Sequence, residues 1–176
     1  MFSRLYTYIH SEPKGWSIPG TLFRAWLAAA AWLVVAGYVI KMTSMTEPNL
    51  NQEGVVDLIH KNPSSMKLFV IIAFTVILEE ILFRLVPLRI GAAFLGTKGL
   101  IAIAFVSSVV FGWAHVYENL AIGPWLQLAG VGFILSMVYL KCGGLEKKIV
   151  KPALCALAVH GFQDIYAIVM ILMTHT

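Results

Sequence analysis

Apolar residues occur along this chain in long, nearly uninterrupted runs that are separated by short polar stretches. The runs cover about residues 21–40, 68–85, 99–115, 122–140 and 149–173. A helix needs about 17–25 residues to cross a bilayer. The pattern therefore predicts five transmembrane helices. Pro87 and Arg89 are expected to break or end the second, and residues 90–98 to form a short connection.

Composition supports lipid as the surroundings of these runs. Hydrophobic residues make up 59% of the 176 residues and charged residues 12%, whereas soluble domains average about 45–50% and about 25%. A chain of this length cannot bury so much apolar surface in one core. The fold class predicted is all-α, a polytopic transmembrane helical bundle in the cell membrane.

The longest polar stretch follows the first run and covers residues 42–67. Within it, Glu53, Val55, Val56, Leu58 and Ile59 could form a short interfacial helix. We divide the chain into an N-terminal part, 1–67, with the tail, first span and polar loop, and a membrane core, 68–176. Residues 1–20 lack the apolar segment of a cleaved secretory signal.

Basic residues predict the orientation. Arg4, Lys14, Arg89, Lys98, Lys141, Lys147, Lys148 and Lys151 fall on one side of a five-span bundle, and Lys41, Lys61 and Lys67 fall on the other. The positive-inside rule places the N-terminus in the cytoplasm. The net charge of +4 is explained by this distribution, so no nucleic-acid partner is expected.

Three ionisable residues interrupt the second run. Glu79 and Glu80 are adjacent, and Arg84 follows Glu80 by four positions. A carboxylate at the centre of a membrane helix costs roughly 2.5–3.5 kcal/mol, so such residues need partners. Glu80 and Arg84 share a helical face and can pair, which by itself could serve only to lock helix packing. Glu79 points about a quarter-turn away and is left for another partner.

Two further runs contribute His115, His160 and Asp164. His115 lies near the end of the third run, where a single histidine is often an interfacial residue. His160 and Asp164 are four apart in the fifth run, so they share a face, although a local hydrogen bond for packing would explain them too. Together, a carboxylate beside an imidazole can act as a general base for water. A second imidazole can donate to an oxyanion.

The three motifs in this order resemble the CPBP family. They are Glu79-Glu80-x-x-x-Arg84, Phe111-x-x-x-His115 and His160-x-x-x-Asp164, on successive hydrophobic helices. The family includes CAAX-type prenyl-protein endopeptidases and bacterial Abi proteins linked to bacteriocin processing and self-immunity. The resemblance covers roughly residues 68–173 and implies that the membrane core is a peptidase core.

The resemblance also implies roles for the residues. Glu79 matches the catalytic glutamate that activates water together with His115, while Glu80 and Arg84 would shape the site. His160 and Asp164 match an oxyanion-stabilising pair whose second member is Asn in the prenyl-protein endopeptidases. An ionised aspartate cannot donate to an oxyanion, so Asp164 would be protonated, orient His160 or help to bind a metal.

The metal requirement stays open at this point. No HExxH motif is present, and the better-understood relatives resemble glutamate-dependent hydrolases, so we expect no required metal. If Zn²⁺ does bind, the ligands would be Glu79, His115, His160 and Asp164, because zinc favours imidazole and carboxylate donors.

Three functions are compatible with these residues. The first, which complete motifs favour, is an intramembrane endopeptidase that cuts a membrane-associated peptide or a lipidated protein. The second is a non-catalytic bacteriocin self-immunity or membrane scaffold protein of the same fold. The third is a small transporter or proton relay, but the sequence has neither the inverted repeat nor the broken helices typical of that class.

The remaining features predict packing rather than chemistry. Gly130 and Gly132 are expected to allow close helix approach, and Cys142 and Cys155 to be reduced and structural. One conflict concerns depth. Residue counting places Glu79 and His160 near the membrane midplane and His115 near the end of its span, so tilt or a shifted span is needed to bring them level.

Overall fold

The computed structural model describes Thr7, Ser11 and residues 17–43, 65–116, 122–146 and 148–175. Five α-helices follow one another within these residues: α1 (Ser17–Met42), α2 (Ser65–Glu80), α3 (Val86–Val116), α4 (Ile122–Lys141) and α5 (Val150–His175). A π-helical turn (Ile81–Leu85) joins α2 to α3, and a 3₁₀ turn (Gly144–Glu146) follows α4. No strand occurs in the described part of the chain.

Four segments of the described chain are long and apolar enough to cross a bilayer: Ser17–Met42, Gly99–Val116, Ile122–Lys141 and Val150–Val169. Their sides carry many exposed large apolar residues, as expected of helices surrounded by lipid. The protein is a helical membrane bundle, as the sequence predicts. The predicted interfacial helix around 53–59 lies outside the described residues.

The predicted end of the second span is wrong. Neither Pro87 nor Arg89 ends the helix, and residues 90–95 continue it instead of forming a connection. The π-helical turn accommodates the proline, since the Val86 N–H bonds to the Ile81 carbonyl, five residues back. Single π-helical turns of this kind are often found at functional sites.

In an α-helical register, residue 87 would donate its N–H to the carbonyl of Phe83, four residues earlier. Proline lacks the N–H that would normally bond there. The Ser107 hydroxyl donates to this carbonyl from α3 at 2.5 Å. The helix continues through the proline because a neighbouring segment supplies the missing donor.

The actual reversal lies at Gly96, inside α3. Its backbone angles, φ 62° and ψ −170°, are readily adopted only by glycine. The segment Gly99–Val116 then returns antiparallel to the preceding helix. Gly91 faces Ile103, and a Cβ atom built on Gly91 would lie 2.7 Å from the Ile103 side chain. The Phe83 and Phe111 rings meet edge to face, with their centres 5.3 Å apart.

Helix α1 is fastened to α4 by side chains that bond to the backbone of the facing helix. Trp32 Nε1 donates to the Gln127 carbonyl at 2.8 Å, and Gln127 Nε2 donates to the Leu33 carbonyl at 2.9 Å. Gly130 has no room for a side chain because a Cβ would collide with the Trp32 ring. The predicted close approach at Gly130 is confirmed.

The bundle has two distinct ends. The Gly96 end holds the start of α1, the kink at Gly96 and the end of α4, where Lys141 Nζ bonds to Ser11. The His115 end holds the last turn of α3 and the start of α4, where Gly123 packs on Ile40. A core cluster fills the bundle towards the Gly96 end: Leu88, Leu100, Ala104, Tyr139, Leu140 and Ala156.

Candidate active site

The residues predicted from three separate spans lie side by side. Glu79 Oε1 is 3.4 Å from His115 Nε2, and Glu79 Oε2 is 3.4 Å from His160 Nε2. Asp164 Oδ1 lies 3.8 Å from the same His160 nitrogen. Both histidines therefore face one carboxylate, as a shared site requires.

Glu80 and Arg84 form a second, deeper layer. Glu80 Oε1 lies 3.3 Å from Arg84 Nη1 and 2.8 Å from His160 Nδ1. Glu80 and Arg84 are only 3% and 1% exposed. The predicted pairing of Glu80 with Arg84 is confirmed, and the contact of Glu80 with His160 is an additional one. A buried charge at this depth needs such compensation, because an unpaired ion there costs several kcal/mol.

Phe111 lies at the centre of both layers. The Arg84 guanidinium carbon is 4.1 Å from the centre of its ring, an attractive cation–π arrangement. The rings of His115 and His160 lie 4.4 Å and 5.9 Å from it. Gly132 leaves this space open, since a Cβ there would lie 2.9 Å from Phe111 Cδ1; the close approach predicted at Gly132 is thereby confirmed.

Hydrogen bonds at the Nδ1 atoms define how each imidazole can act. His115 Nδ1 lies 2.7 Å from the Phe111 carbonyl, which only accepts, so Nδ1 carries the hydrogen. His160 Nδ1 is held in the same way by the Glu80 carboxylate. In their neutral forms both histidines then present an Nε2 lone pair to Glu79. The Glu79 carboxylate and each Nε2 lone pair are both acceptors, so a proton or a water is needed between them.

The hairpin formed by α2, the π-helical turn and the two halves of α3 explains how His115 can lie at the same depth as Glu79. The path from Ser65 to Leu95 is helical throughout and would measure about 45 Å at 1.5 Å per residue, longer than the hydrocarbon core of about 30 Å. The returning segment of α3 pairs with it so that Phe111 meets Phe83. One turn further, His115 reaches the level of Glu79.

The geometry of the site was also compared with what a metal ion would require. No group of three or more His, Cys, Asp or Glu side chains among the described residues is spaced to hold a metal ion. The four residues named as ligands in case Zn²⁺ binds do lie near one another, and the expectation that no metal is required stays a prediction.

One polar residue of this region was not singled out from the sequence. Gln163 is 4% exposed, and neither atom of its amide has a hydrogen-bond partner within the described part of the chain. It follows His160 by three positions and so lies on a neighbouring part of the same helical face. A lone glutamine in an apolar run gives no sequence signal that separates it from a packing residue.

An apolar cavity of about 380 Å³ lies between α1 and α5. None of the predicted site residues lines it. Its lining residues are Pro19, Leu22, Phe23, Trp26, Val159 and Phe162.

Comparison with known protein families gives a match. A family model described as type II CAAX prenyl endopeptidase Rce1-like matches residues 61–166, more than half of the chain. The matched range contains all six predicted site residues and leaves out α1. No curated protein and no solved structure gives a significant match.

Proposed function

Because the chain belongs to the Rce1-like family of type II CAAX prenyl endopeptidases, we propose that it is an intramembrane peptidase that hydrolyses a peptide bond of a membrane-associated substrate. One observation carries the proposal. Glu79 contacts both His115 and His160, at 3.4 Å each, in the partly exposed part of an otherwise buried polar cluster. A carboxylate flanked by two imidazoles is suited to activating water.

The first step is the attack of water. A water between Glu79 and His115 gives its proton to the Glu79 carboxylate while its oxygen bonds to the carbonyl carbon of the substrate. His115 holds that water through Nε2, because its Nδ1 is engaged by the Phe111 carbonyl. The product of this step is a tetrahedral intermediate with a negatively charged oxygen.

The second step stabilises that oxygen and expels the amine. A protonated His160 donates through Nδ1 to Glu80 and offers its Nε2–H to the oxyanion. Asp164, 3.8 Å from the same nitrogen, orients His160 rather than donating itself. The carbon–nitrogen bond then breaks, and the leaving amine takes the proton that Glu79 received from water.

Glu80 and Arg84 are positioning residues in this mechanism. Glu80 holds His160 at 2.8 Å, and Arg84 balances the charge of Glu80 in a region that water hardly reaches. No step requires a metal. If Zn²⁺ binds to the same four residues, it would polarise the water or the carbonyl as a Lewis acid.

The test uses purified protein in vesicles and peptides of mixed sequence, each prepared with and without a C-terminal prenyl group. We expect Glu79→Gln and His115→Ala to lower cleavage by about 10²–10⁴-fold, the usual contribution of a general base. Products are measured by mass spectrometry. Activity that survives in both variants would exclude this mechanism.

Two controls make the result specific. Glu146→Gln removes an exposed carboxylate that pairs with Lys148 at 2.7 Å, far from the site, and should retain full activity. A zinc chelator should leave the wild-type cleavage rate unchanged. A loss of activity in the presence of the chelator would indicate that a metal-bound water is the nucleophile. If no peptide of either set is cleaved by wild-type protein that binds them, the non-catalytic immunity or scaffold function is favoured.

A further inference from the structure

Three charged residues of the site lie on the two sides of an irregular joint in one helical rod. Glu79 and Glu80 are at the end of α2, and Arg84 lies within the π-helical turn, Ile81–Leu85, that joins α2 to α3. Glu80 and Arg84 are 3.3 Å apart, and the backbone between them runs through this turn. A rotation within the turn would therefore separate the two charges.

Pro87 leaves the direction of this joint unspecified. In a regular helix, a proline ring clashes with the carbonyl four residues earlier and offers it no N–H. For Pro87, that carbonyl belongs to Phe83. It has to tilt away from the helix axis, and the helix itself does not set the direction of the tilt. Because Phe83 directly precedes Arg84, this direction also determines where the Arg84 side chain begins.

Ser107 sets that direction from the neighbouring segment. Its hydroxyl donates to the Phe83 carbonyl at 2.5 Å, and the residue is 6% exposed, so water does not readily take its place. The adjacent Ser108 is buried too, but its hydroxyl donates to the Ala104 carbonyl, four residues earlier in its own helix. Of these two hydroxyls, that of Ser107 is the one that reaches the rod with the two glutamates.

One face of α3 contacts this rod at three successive turns. Ser107, Phe111 and His115 follow one another at intervals of four residues, so they share a helical face. The Phe111 ring lies 4.1 Å from the guanidinium carbon of Arg84, and His115 contacts Glu79. Within this set of three, Ser107 supplies the hydrogen bond to the backbone of the rod. Its contact therefore fixes the path of the chain rather than the position of one side chain.

The joint is linked to the catalytic histidines through a single oxygen atom. Glu80 Oε1 lies 3.3 Å from Arg84 Nη1 and 2.8 Å from His160 Nδ1. A displacement of Arg84 would leave this buried oxygen without its cation, which is costly. The Glu80 carboxylate would then shift, and with it the acceptor that keeps the hydrogen of His160 on Nδ1.

We propose that Ser107 is a positioning residue of the reaction. By bonding to the Phe83 carbonyl, it fixes the joint so that Arg84 is aimed at Glu80. Glu80 then holds His160 in the orientation that presents Nε2 to the site. Ser107 itself touches neither water nor substrate. The effect on rate rests on the proposed function, whereas the effect on the arrangement of His160 does not.

The first measurement is the cleavage rate of the purified full chain in vesicles, expressed per folded molecule. We expect Ser107→Ala to lower kcat by about 10–100-fold, because a displacement of about 1 Å can cost about 10²-fold. KM should stay unchanged, the pattern of an interaction lost only in the transition state. Ser107→Thr keeps the hydroxyl and should restore kcat. Ser108→Ala, the control, should retain the wild-type values because its hydroxyl bonds within its own helix.

The second measurement needs no activity. Nitrogen NMR of the same chains, labelled with ¹⁵N-histidine in detergent, shows which ring nitrogen of a neutral imidazole carries the hydrogen. The His160 signal is assigned by its loss in His160→Gln. We expect the hydrogen on Nδ1 in the wild type, where Glu80 accepts it, and a shift of the population towards Nε2 in Ser107→Ala. Ser107→Thr and Ser108→Ala should resemble the wild type.

Both changes are required, so a Ser107→Ala chain that keeps either the wild-type kcat or the wild-type His160 signal overturns the proposal. Equal changes in Ser108→Ala, or no recovery in folded Ser107→Thr, overturn it too. If Ser107→Ala does not fold, Ser107→Cys takes its place, because a thiol is only a weak donor. If the wild type cleaves no peptide, the peptidase function fails, and the His160 signal alone supports or overturns the role of Ser107.

Discussion

The adjacent glutamates differ in their surroundings although they are chemically identical. Glu80 is held between Arg84 and His160 and is almost fully buried, whereas Glu79 is partly exposed between two histidines. The Glu80 carboxylate is therefore enclosed by its partners, whereas the Glu79 carboxylate keeps part of its surface accessible. Helical phase alone predicts part of this division, because only Glu80 lies four positions before Arg84.

The contact of Glu80 with His160 was beyond the reach of sequence reasoning. The two residues are 80 positions apart, and helical periodicity describes only which residues share a face of one helix. Which face of α5 meets which face of α2 depends on packing across the whole bundle. The motifs nevertheless predict Glu79, His115, His160 and Asp164 as neighbours, and their distances agree with that expectation.

Arg84→Met should destabilise the protein by about 3–5 kcal/mol, because it leaves the Glu80 charge without its cation. Thermal unfolding in detergent measures the change. Adding Glu80→Gln to Arg84→Met should recover much of the loss, since the buried charge is then removed too. A double variant no more stable than Arg84→Met would show that Arg84 acts by packing on Phe111 instead.

Gln163 and Gln127 allow a comparison of a buried amide without a partner and a half-buried amide that is hydrogen-bonded. Gln163→Leu should leave stability unchanged or raise it by about 1–3 kcal/mol, because the amide of Gln163 has no partner among the described residues and pays an uncompensated desolvation cost. Gln127→Leu should lower stability, because its Nε2 bonds to the Leu33 carbonyl. Equal losses in thermal unfolding for both variants would mean that Gln163 has a partner of its own.

At the scale of elements, four of the five predicted spans agree closely with helices. The runs 21–40, 99–115 and 122–140 fall within α1, α3 and α4, and the run 149–173 begins one residue before α5. Length and apolar composition suffice for these segments because a membrane helix must satisfy its backbone internally. The second span was misjudged, since the rule that proline ends a helix takes no account of a donor from another segment.

Ser107 should matter only because Pro87 is present. Ser107→Ala removes the donor to the Phe83 carbonyl and should cost about 1–3 kcal/mol, the penalty for an unsatisfied buried acceptor. In a Pro87→Ala background, residue 87 has its own N–H, and the same Ser107 substitution should cost much less. Thermal unfolding of the four chains of this cycle measures the coupling.

Ser136→Ala is the matched control for that cycle. The Ser136 hydroxyl is also buried, but it donates to the Gly132 carbonyl within its own helix, where a backbone donor is already available. Ser136→Ala should lower the free energy of unfolding by less than Ser107→Ala does. The decrease should be the same with Pro87 and with Pro87→Ala. Equal costs of Ser107→Ala with and without Pro87 would refute the role of the hydroxyl as a replacement donor.

At the scale of the whole molecule, α1 is part of the bundle although the family match begins after it, at residue 61. Its bonds to α4 and its packing on Cys142, Cys155 and Val159 connect it to the helices that carry the site. The division into 1–67 and 68–176 remains a prediction about the chain. Sequence could not tell whether the first part packs on the second, because apolar helices look alike whether they face lipid or protein.

A chain expressed as two pieces, 1–60 and 61–176, should reassemble in the membrane. Trp32 and Gln127 hold α1 on α4 without any need for the connection, and helices inserted separately associate through such contacts. Copurification in detergent through a tag on one piece measures the association. Separation of the pieces would show that the connection alone retains α1.

Two alanine substitutions test the specificity of that association. Gly130→Ala should weaken copurification, because a methyl group would displace the Trp32 ring. Gly161→Ala should not, because a Cβ there meets no atom within 4 Å. If both substitutions reduced copurification equally, the association would depend on nonspecific hydrophobic contact and not on close packing at Gly130.

The π-helical turn has a consequence for anyone who redesigns this protein. It holds one residue more than an α-helical turn would need, and one residue corresponds to about 100° of rotation. A single helical wheel drawn from Ser65 to Leu95 therefore assigns wrong neighbours to one half of that rod. Residues before Ile81 and after Leu85 need separate wheels, and deleting one residue between them would turn Glu79 away from both histidines.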